Sequence, residues 1–371
     1  MELLRDPSGE RRSETAQKIA VEFDRGALSD AERKLAEEIF RIMVKDAEVR
    51  VREALADNLK SNPLLPHEVA VALARDVNSV ALPVLEFSEV LTDEDLIEII
   101  SLQDGDKQSA IAGRQNVSER VSDAIVDTGN ETAVTRLVSN PGADISEGAF
   151  GRVVDSMGGS ETVQRAMAGR SQLPVTIAER LVTLMADSLK AQISERVSLP
   201  EDAMTDLVLQ IRERAVLSLS VQSVSVDLQR LVDQLYKNDR LTPSIVLRAL
   251  VMGDLPFFEQ AMAVLAKVSV DNARELIHDG GKLGLQAIFT KANLPRSYFP
   301  AARAAIDVAR ELEYDGGERD RERFSRRMIE RVLTQYGDLG VDFDVEDLDY
   351  LMTKLQDLPV DQVDTDGANG G

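Results

Sequence analysis

Arg114, Arg170 and Arg196 each stand three residues ahead of a helix-opening motif, and Asn62 and Ser88 hold the same place in earlier copies. A guanidinium carries five N–H donors in a planar fork and stays charged. A row of them along one edge of a stacked array would therefore hold a carboxylate or a phosphate. The same residues have a second reading, in which each Arg satisfies the last free carbonyls of its own helix and complements the helix dipole. The second is favoured, because a repeated position predicts stacking and not binding.

Other reactive side chains are sparse. The two histidines, His67 and His278, have no local partner at metal-ligand spacing, so surface or capping roles suit them best. With no cysteine there is no thiolate nucleophile, disulfide or Cys-ligated zinc site. Gly280-Gly281-Lys282-Leu283-Gly284 lacks both the preceding strand and the hydroxyl residue that close a phosphate loop, and reads as an inter-helix turn. Nothing assembles a nucleophile, a base and a stabiliser, so no catalytic residue, metal ligand or cofactor is assigned.

The motif that positions these residues is an apolar residue followed by Pro, Thr or Ser, then a polar pair and an amphipathic stretch. It occurs ten times. Six consecutive copies begin at Leu65, Leu91, Val117, Ile145, Leu173 and Leu199, spaced 26, 26, 28, 28 and 26 residues apart. Ser and Thr cap the first free N–H groups of a helix, Pro suits the first turn, and the apolar residue staples back onto it. Six residues earlier runs a second column, Leu59, Leu85, Ile111, Met167 and Ile193, with Leu137 in the unit whose turn is two residues longer. That column marks the inward end of a first helix, so each unit is an antiparallel helix pair. Helices this short are marginal alone and need their neighbours to bury both faces. After a gap of 42 residues the motif returns at Leu241, Val268 and Leu294, with Leu235, Met262 and Ile288 in the column. Within the gap, residues 216–226 alternate apolar residues with Ser and resemble a strand more than a helix; they are read as a fraying helix end and connector.

The formal net charge of −22 argues against a nucleic-acid backbone as partner, and from Asp338 onward ten acids face the single base Lys354. No apolar run is long enough to cross a bilayer, and Met1 to Arg12 lacks an apolar signal-peptide core, which makes the cytoplasm the expected compartment. Aromatic residues are lopsided: four precede residue 235 and eleven follow, including all five tyrosines. Tyrosine suits places where one end of the ring is buried and the other wet. Tyr298, Tyr314 and Tyr336, with Phe257 and Phe258, are therefore the candidate protein contacts, although each phenylalanine singly is better explained as core. Val345, Leu348, Leu351, Met352 and Leu355 form an amphipathic face that caps the array or docks on a partner, and its acidic surroundings suit a basic one.

Asp46 to Ala56, with its Val49-Arg50 pair, looks like the first helix of a HEAT repeat. Leu28-Ser29-Asp30-Ala31-Glu32-Arg33, Leu91-Thr92-Asp93-Glu94-Asp95-Leu96-Ile97, Ala110-Ile111-Ala112-Gly113-Arg114 before Val117-Ser118, and Gly253-Asp254 after Leu241-Thr242 together resemble an alphaproteobacterial family of HEAT-like helical proteins known only as a domain of unknown function. The resemblance spans roughly Thr15 to Leu312. It implies an α-helical repeat fold in a bacterial cytoplasm and brings no catalytic motif, ligand or activity.

The expected architecture is all-α, an α-solenoid of HEAT-like antiparallel helix pairs in two segments with a C-terminal helical cap and an acidic tail. Its boundaries are a flexible N-terminus over 1–14, repeat segments over 15–215 and 216–312, a helical extension over 313–358 and a disordered tail over 359–371. The expected role is a non-catalytic protein-interaction scaffold or regulatory adaptor, with another protein as partner, no membrane, and room for homo-oligomerisation. The alternative is a small-molecule sensor or enzyme using carboxylates and Arg114 or Arg170 in the groove. HEAT-like DNA glycosylases show that such solenoids can be enzymes, but the acidity and the absence of Trp weaken that analogy.

Overall fold

The structure is a computed structural model that describes residues 8–26, 28–196, 201–223, 225–279, 283–311 and residue 327. The described residues are all-helical apart from turns and one isolated backbone bridge, and the chain divides into two compact units, Met1–Gln192 and Ile193–Gly371. No described helix is long and apolar enough to cross a membrane.

Unit 1 opens with α1 (Gly9–Asp24) and α2 (Asp30–Met43), followed by α3 (Val49–Leu59), α4 (His67–Ala74), α5 (Asn78–Phe87), α6 (Asp93–Ser101), α7 (Gly105–Ala112) and α8 (Glu119–Asp127). It continues with α9 (Glu131–Ser139), α10 (Glu147–Met157), α11 (Glu161–Ala168) and all but the last four residues of α12 (Val175–Arg196). The second helices start where the motif placed them. Ser29, Thr92, Ser118 and Ser146 each accept a hydrogen bond from the amide three residues on, and Ser29–Glu32 and Thr92–Asp95 are reciprocal capping boxes. The apolar residues just before, Leu65, Leu91, Val117 and Ile145, are buried.

The odd-numbered helices α1 to α11 pack on one another in succession and form one layer. The second layer holds the even-numbered helices, where α2 meets α4 and α8 meets both α6 and α10. Between the layers lies the core, and the column Leu59, Leu85, Ile111, Leu137 and Met167 is essentially solvent-free. This is an all-α helical repeat.

The longer turn before Ile145 has a purpose. Gly142 accepts from the Val117 amide and Val117 accepts from the Asp144 amide, so the turn pairs with the preceding one. A Cβ at Gly142 would lie 1.9 Å from the Gln115 carbonyl oxygen, which restricts the position to glycine.

Three sequence expectations change. Residues 9–14 are helical, because Ser8 caps α1 and Arg12 forms a bidentate pair with Asp46 of the next repeat. The sixth unit has no separate first helix: α12 runs through the place where earlier units break, and Ile193 is only half-buried. The breaks after α6, α8 and α10 use a positive φ at Gln103 or Gly129 or the Gly158-Gly159 pair, and the one after α4 turns at Asp76, whose carboxylate accepts from the Val77 amide, whereas Met185-Ala186-Asp187-Ser188 stays helical. Residues 216–222 are the end of a helix (Glu201–Gln222), as the helix-end reading expects, and only the connector part of that reading gives way, since the next helix begins at Ser225. Ser218 and Ser223 donate back to the Arg214 and Leu219 carbonyls four residues earlier, and Ser220 donates to Asp254, so each hydroxyl is satisfied within a helical path.

Unit 2 comprises α13 (Glu201–Gln222), α14 (Ser225–Lys237), α15 (Pro243–Val251), α16 (Leu255–Ala266), α17 (Val270–His278), α18 (Leu283–Lys291) and α19 (Phe299–Glu311). The same plan holds, with α14, α16 and α18 packed in succession and Leu235, Met262 and Ile288 buried. Its first helices end differently. Asp239, Lys267 and Asn293 adopt φ of 55°, 54° and 56°, and the following turn amides bond back to the carbonyls of Leu235, Ala263 and Phe289. The proposed extension 313–358 and tail 359–371 lie outside the described residues, apart from residue 327.

Ile111→Ala should cost about 2–5 kcal/mol in denaturant melts, as expected for a buried branched side chain. Ile193→Ala, at the equivalent but half-exposed position, should cost less than about 1.5 kcal/mol. Equal losses would contradict the interruption of the repeat at α12.

Candidate functional site

The residues singled out by type fall into two sets, the Arg column of unit 1 and the aromatic and His region of unit 2. Arg114 reaches back into the preceding repeat, donating through Nη1 to the Leu85 carbonyl at 2.5 Å and through Nη2 to the Ser88 carbonyl at 2.6 Å. Arg170 does the same two repeats further on, with Nη1 2.8 Å from the Asn140 carbonyl and Nη2 2.5 Å from that of Ala143. Its guanidinium also lies over the Phe150 ring, 5.4 Å from the centroid. Burial pushes both guanidinium pKa values below the ordinary arginine value, partly offset by nearby acids. The side chain of Arg196 lies outside the described residues.

Between these two arginines stands Asn140, whose Nδ2 donates to the carbonyls of Ala112 and Arg114 at 2.9 and 2.7 Å. The three side chains form a chain of contacts in which Arg114 binds the Ser88 carbonyl, Asn140 binds that of Arg114, and Arg170 binds that of Asn140. Sequence reading missed Asn140 because it counted backwards from the helix start, and the inserted Pro141-Gly142 displaced it. Counting three residues forward from the buried column places Asn62, Ser88, Arg114, Asn140 and Arg170 in one register. The ladder joins repeats through backbone carbonyls, and the donor faces of Arg114 and Arg170 are turned onto them.

A second row of polar contacts runs along the opposite ends of the first-layer helices. Arg52 bridges the Asp76 carboxylate and the Asp46 carbonyl, while Lys107 donates to the Asp76 carbonyl at 2.6 Å. Asn130 then contacts Gln108, and Ser160 contacts Glu131. The hydrogen bond from Arg12 is the main cause holding the Asp46 carboxyl below its ordinary value. At Asp76 burial acts upward, but the Arg52 and backbone hydrogen bonds outweigh it and the carboxyl is again lowered.

In unit 2, Glu259 of α16 is buried and accepts from Arg274 Nε at 2.7 Å, and its other oxygen lies 2.7 Å from His278 Nε2. Burial alone would raise the Glu259 pKa, yet the two hydrogen bonds and the neighbouring cations hold it below the ordinary value. Arg310 of α19 donates to the His278 carbonyl, tying the last described helix to this corner. These partners are far apart in sequence, so no local spacing announced them. His67, the other histidine, lies 2.7 Å from Asp95 on the next second-layer helix. Among the described residues no group of three or more His, Cys, Asp and Glu is placed to hold a metal ion.

The aromatic candidates separate. Phe257 and Phe258 are fully buried in the unit 2 core, so packing occupies the surface a partner would need. Tyr298 is half-buried in a 3-10 turn, Arg296–Tyr298, that leads into α19. Tyr314, Tyr336 and the C-terminal amphipathic face lie outside the described residues.

Residues 80–342 match the model of a family described as an uncharacterised protein conserved in bacteria (DUF2336), and the chain belongs to that family. No curated protein and no solved structure matches it.

Arg170→Ala should cost about 2–3 kcal/mol in chemical denaturation, because it strips charged donors from partly buried carbonyls. Adding inorganic phosphate should leave the melting temperature of the parent chain unchanged; a phosphate-dependent rise lost with Arg170→Ala would restore the anion-site reading. The lowered Glu259 carboxyl contributes stability that is complete above its unfolded value near 4.5 and is lost as pH falls through the folded value. Glu259→Gln should therefore cost about 1–3 kcal/mol at neutral pH and flatten the pH dependence of stability below about 4.5, measured by melts across pH.

Proposed function

We propose that this chain is a non-catalytic protein-interaction scaffold or adaptor, built of HEAT-like helix pairs and acting in the bacterial cytoplasm. One observation carries the reading. The helices α6, α8 and α10 bear nine carboxylates against two arginines, and every one of these acids is exposed or half-exposed. Repeats set these charges side by side on successive helices, which makes an extended acidic surface rather than a focused pocket.

The chemistry of that surface supports a partner with a basic face. Pairs such as Arg75–Glu98, Arg120–Glu94 and Arg152–Asp123 cross from one helix to the next, yet carboxylates outnumber arginines nine to two on α6, α8 and α10, so the net charge of this face stays negative. Long-range attraction from such a face speeds encounter and aligns a complementary partner, and salt weakens it. Tyr298 is an additional candidate contact in unit 2.

Affinity capture with the full chain from a native bacterial lysate should retain a stoichiometric protein that is released by raised salt. Reversing Glu94, Asp123 and Glu147 together to Arg should reduce retention by about tenfold or more, with the helical circular dichroism unchanged. Capture unaffected by the reversals would remove the acidic face from the proposal. A metabolite-induced rise in melting temperature, with no protein captured, would favour the sensor or enzyme alternative.

A further inference from the structure

The second-layer helices α4, α6, α8 and α10 expose no large apolar side chain along their described lengths, but α2 exposes two. Leu35 is 59% and Ile42 50% exposed, and they stand on one face of the helix with half-buried Ile39 between them. Beside this face an open apolar groove runs between α1 and α2, floored by Ile19, Leu28, Ala36 and Ile39 and edged by Lys18 and Glu32. Both helices belong to the first repeat, and their main packing partners beyond each other are α3 and α4 of the next. A repeat array must give an exposed apolar face of this kind either polar cover or a partner.

The charges on α2 indicate which partner. An antiparallel copy of α2, laid across it about a two-fold axis between Glu38 and Ile39, sets Leu35 opposite the second copy's Ile42 and Glu32 opposite the second copy's Lys45. Symmetry repeats both pairings. A parallel arrangement would instead oppose Glu32 to Glu32 and Lys45 to Lys45. The capping box uses one oxygen of the Glu32 carboxylate, which accepts on both, and Lys45 is exposed just beyond the helix end. The pattern is thus self-complementary, as an isologous contact requires.

We infer that the α1/α2 end of unit 1 is a homodimer interface in which two copies of this chain pair through antiparallel α2 helices. This inference is independent of the scaffold reading, since it concerns the end of the repeat and not the acidic face of α6, α8 and α10.

Sedimentation velocity of the full chain over a concentration series tests it. The expected result is a monomer–dimer equilibrium weakened by about tenfold or more in Leu35→Glu and in Lys45→Glu, and retained in Lys45→Arg. Both sites are exposed, and unchanged circular dichroism will confirm that the fold survives. Because the chain has no cysteine, a second test mixes a Leu35→Cys chain with an Ile42→Cys chain under mild oxidation, and a disulfide-linked heterodimer is expected. A chain that stays monomeric throughout the series overturns the inference. So does a dimer indifferent to Leu35→Glu, or failure of the mixed chains to cross-link.

Discussion

The free carbonyls at the ends of the first-layer helices are the constraint on which the rest of the structure depends. These helices are short, so the unpaired groups at each end are a large share of their backbone. Stacking buries the turn edges against the next repeat, where water cannot serve as the donor. Unit 1 supplies donors from outside at three of these ends, each from a side chain of the following repeat: Arg114 for α5, Asn140 for α7 and Arg170 for α9. Unit 2 supplies them from within, through left-handed residues that fold the turn amides back onto the helix end. Asn and Asp accept that conformation easily and Lys267 less so.

The two solutions have different energetic consequences. A left-handed cap is local and remains available when the neighbouring repeat is absent. A carbonyl satisfied by the next repeat is satisfied only when that repeat is in place, so the ladder adds a nearest-neighbour term to the α5/α7, α7/α9 and α9/α11 junctions. It also accounts for where the guanidinium donors of Arg114 and Arg170 are directed. Arginine serves here because its fork spans two or three carbonyls at once, and Asn140 shows that two donors at the right reach are sufficient.

Much of this was legible in the residues. Caps such as Ser29, Thr92 and Ser146 declare themselves by type and spacing, because an N-cap acts within four residues of chain. The buried column from Leu59 to Met167 follows from the same period. What depends on absence was harder to read: nothing in Met185-Ala186-Asp187-Ser188 announces that the helix will fail to break. Serines at 218, 220 and 223 imitated a strand because alternation ignores hydroxyls that bond to their own helix or to a neighbouring one. The Glu259, Arg274 and His278 cluster was invisible, since its members meet only after α16 and α17 have packed. Phe257 and Phe258 follow the core alternative that the sequence already favoured for each of them, because an aromatic residue suits a core as well as an interface.

The two layers of unit 1 also divide the work of polar side chains. First-layer contacts such as Arg12–Asp46 and Arg52–Asp76 are largely shielded and reach backbone carbonyls as well as carboxylates. Removing either partner there exposes a desolvated group. Second-layer pairs such as Arg120–Glu94 and Arg75–Glu98 stand in solvent, where an ion pair contributes no more than about 1 kcal/mol. Apart from the capping Asp95, changes of charge on α6, α8 and α10 therefore cost the fold little, while the same changes at Asp46 or Asp76 cost it a repeat junction. Recognition has room to be written on the second layer because the first layer already holds the stack together.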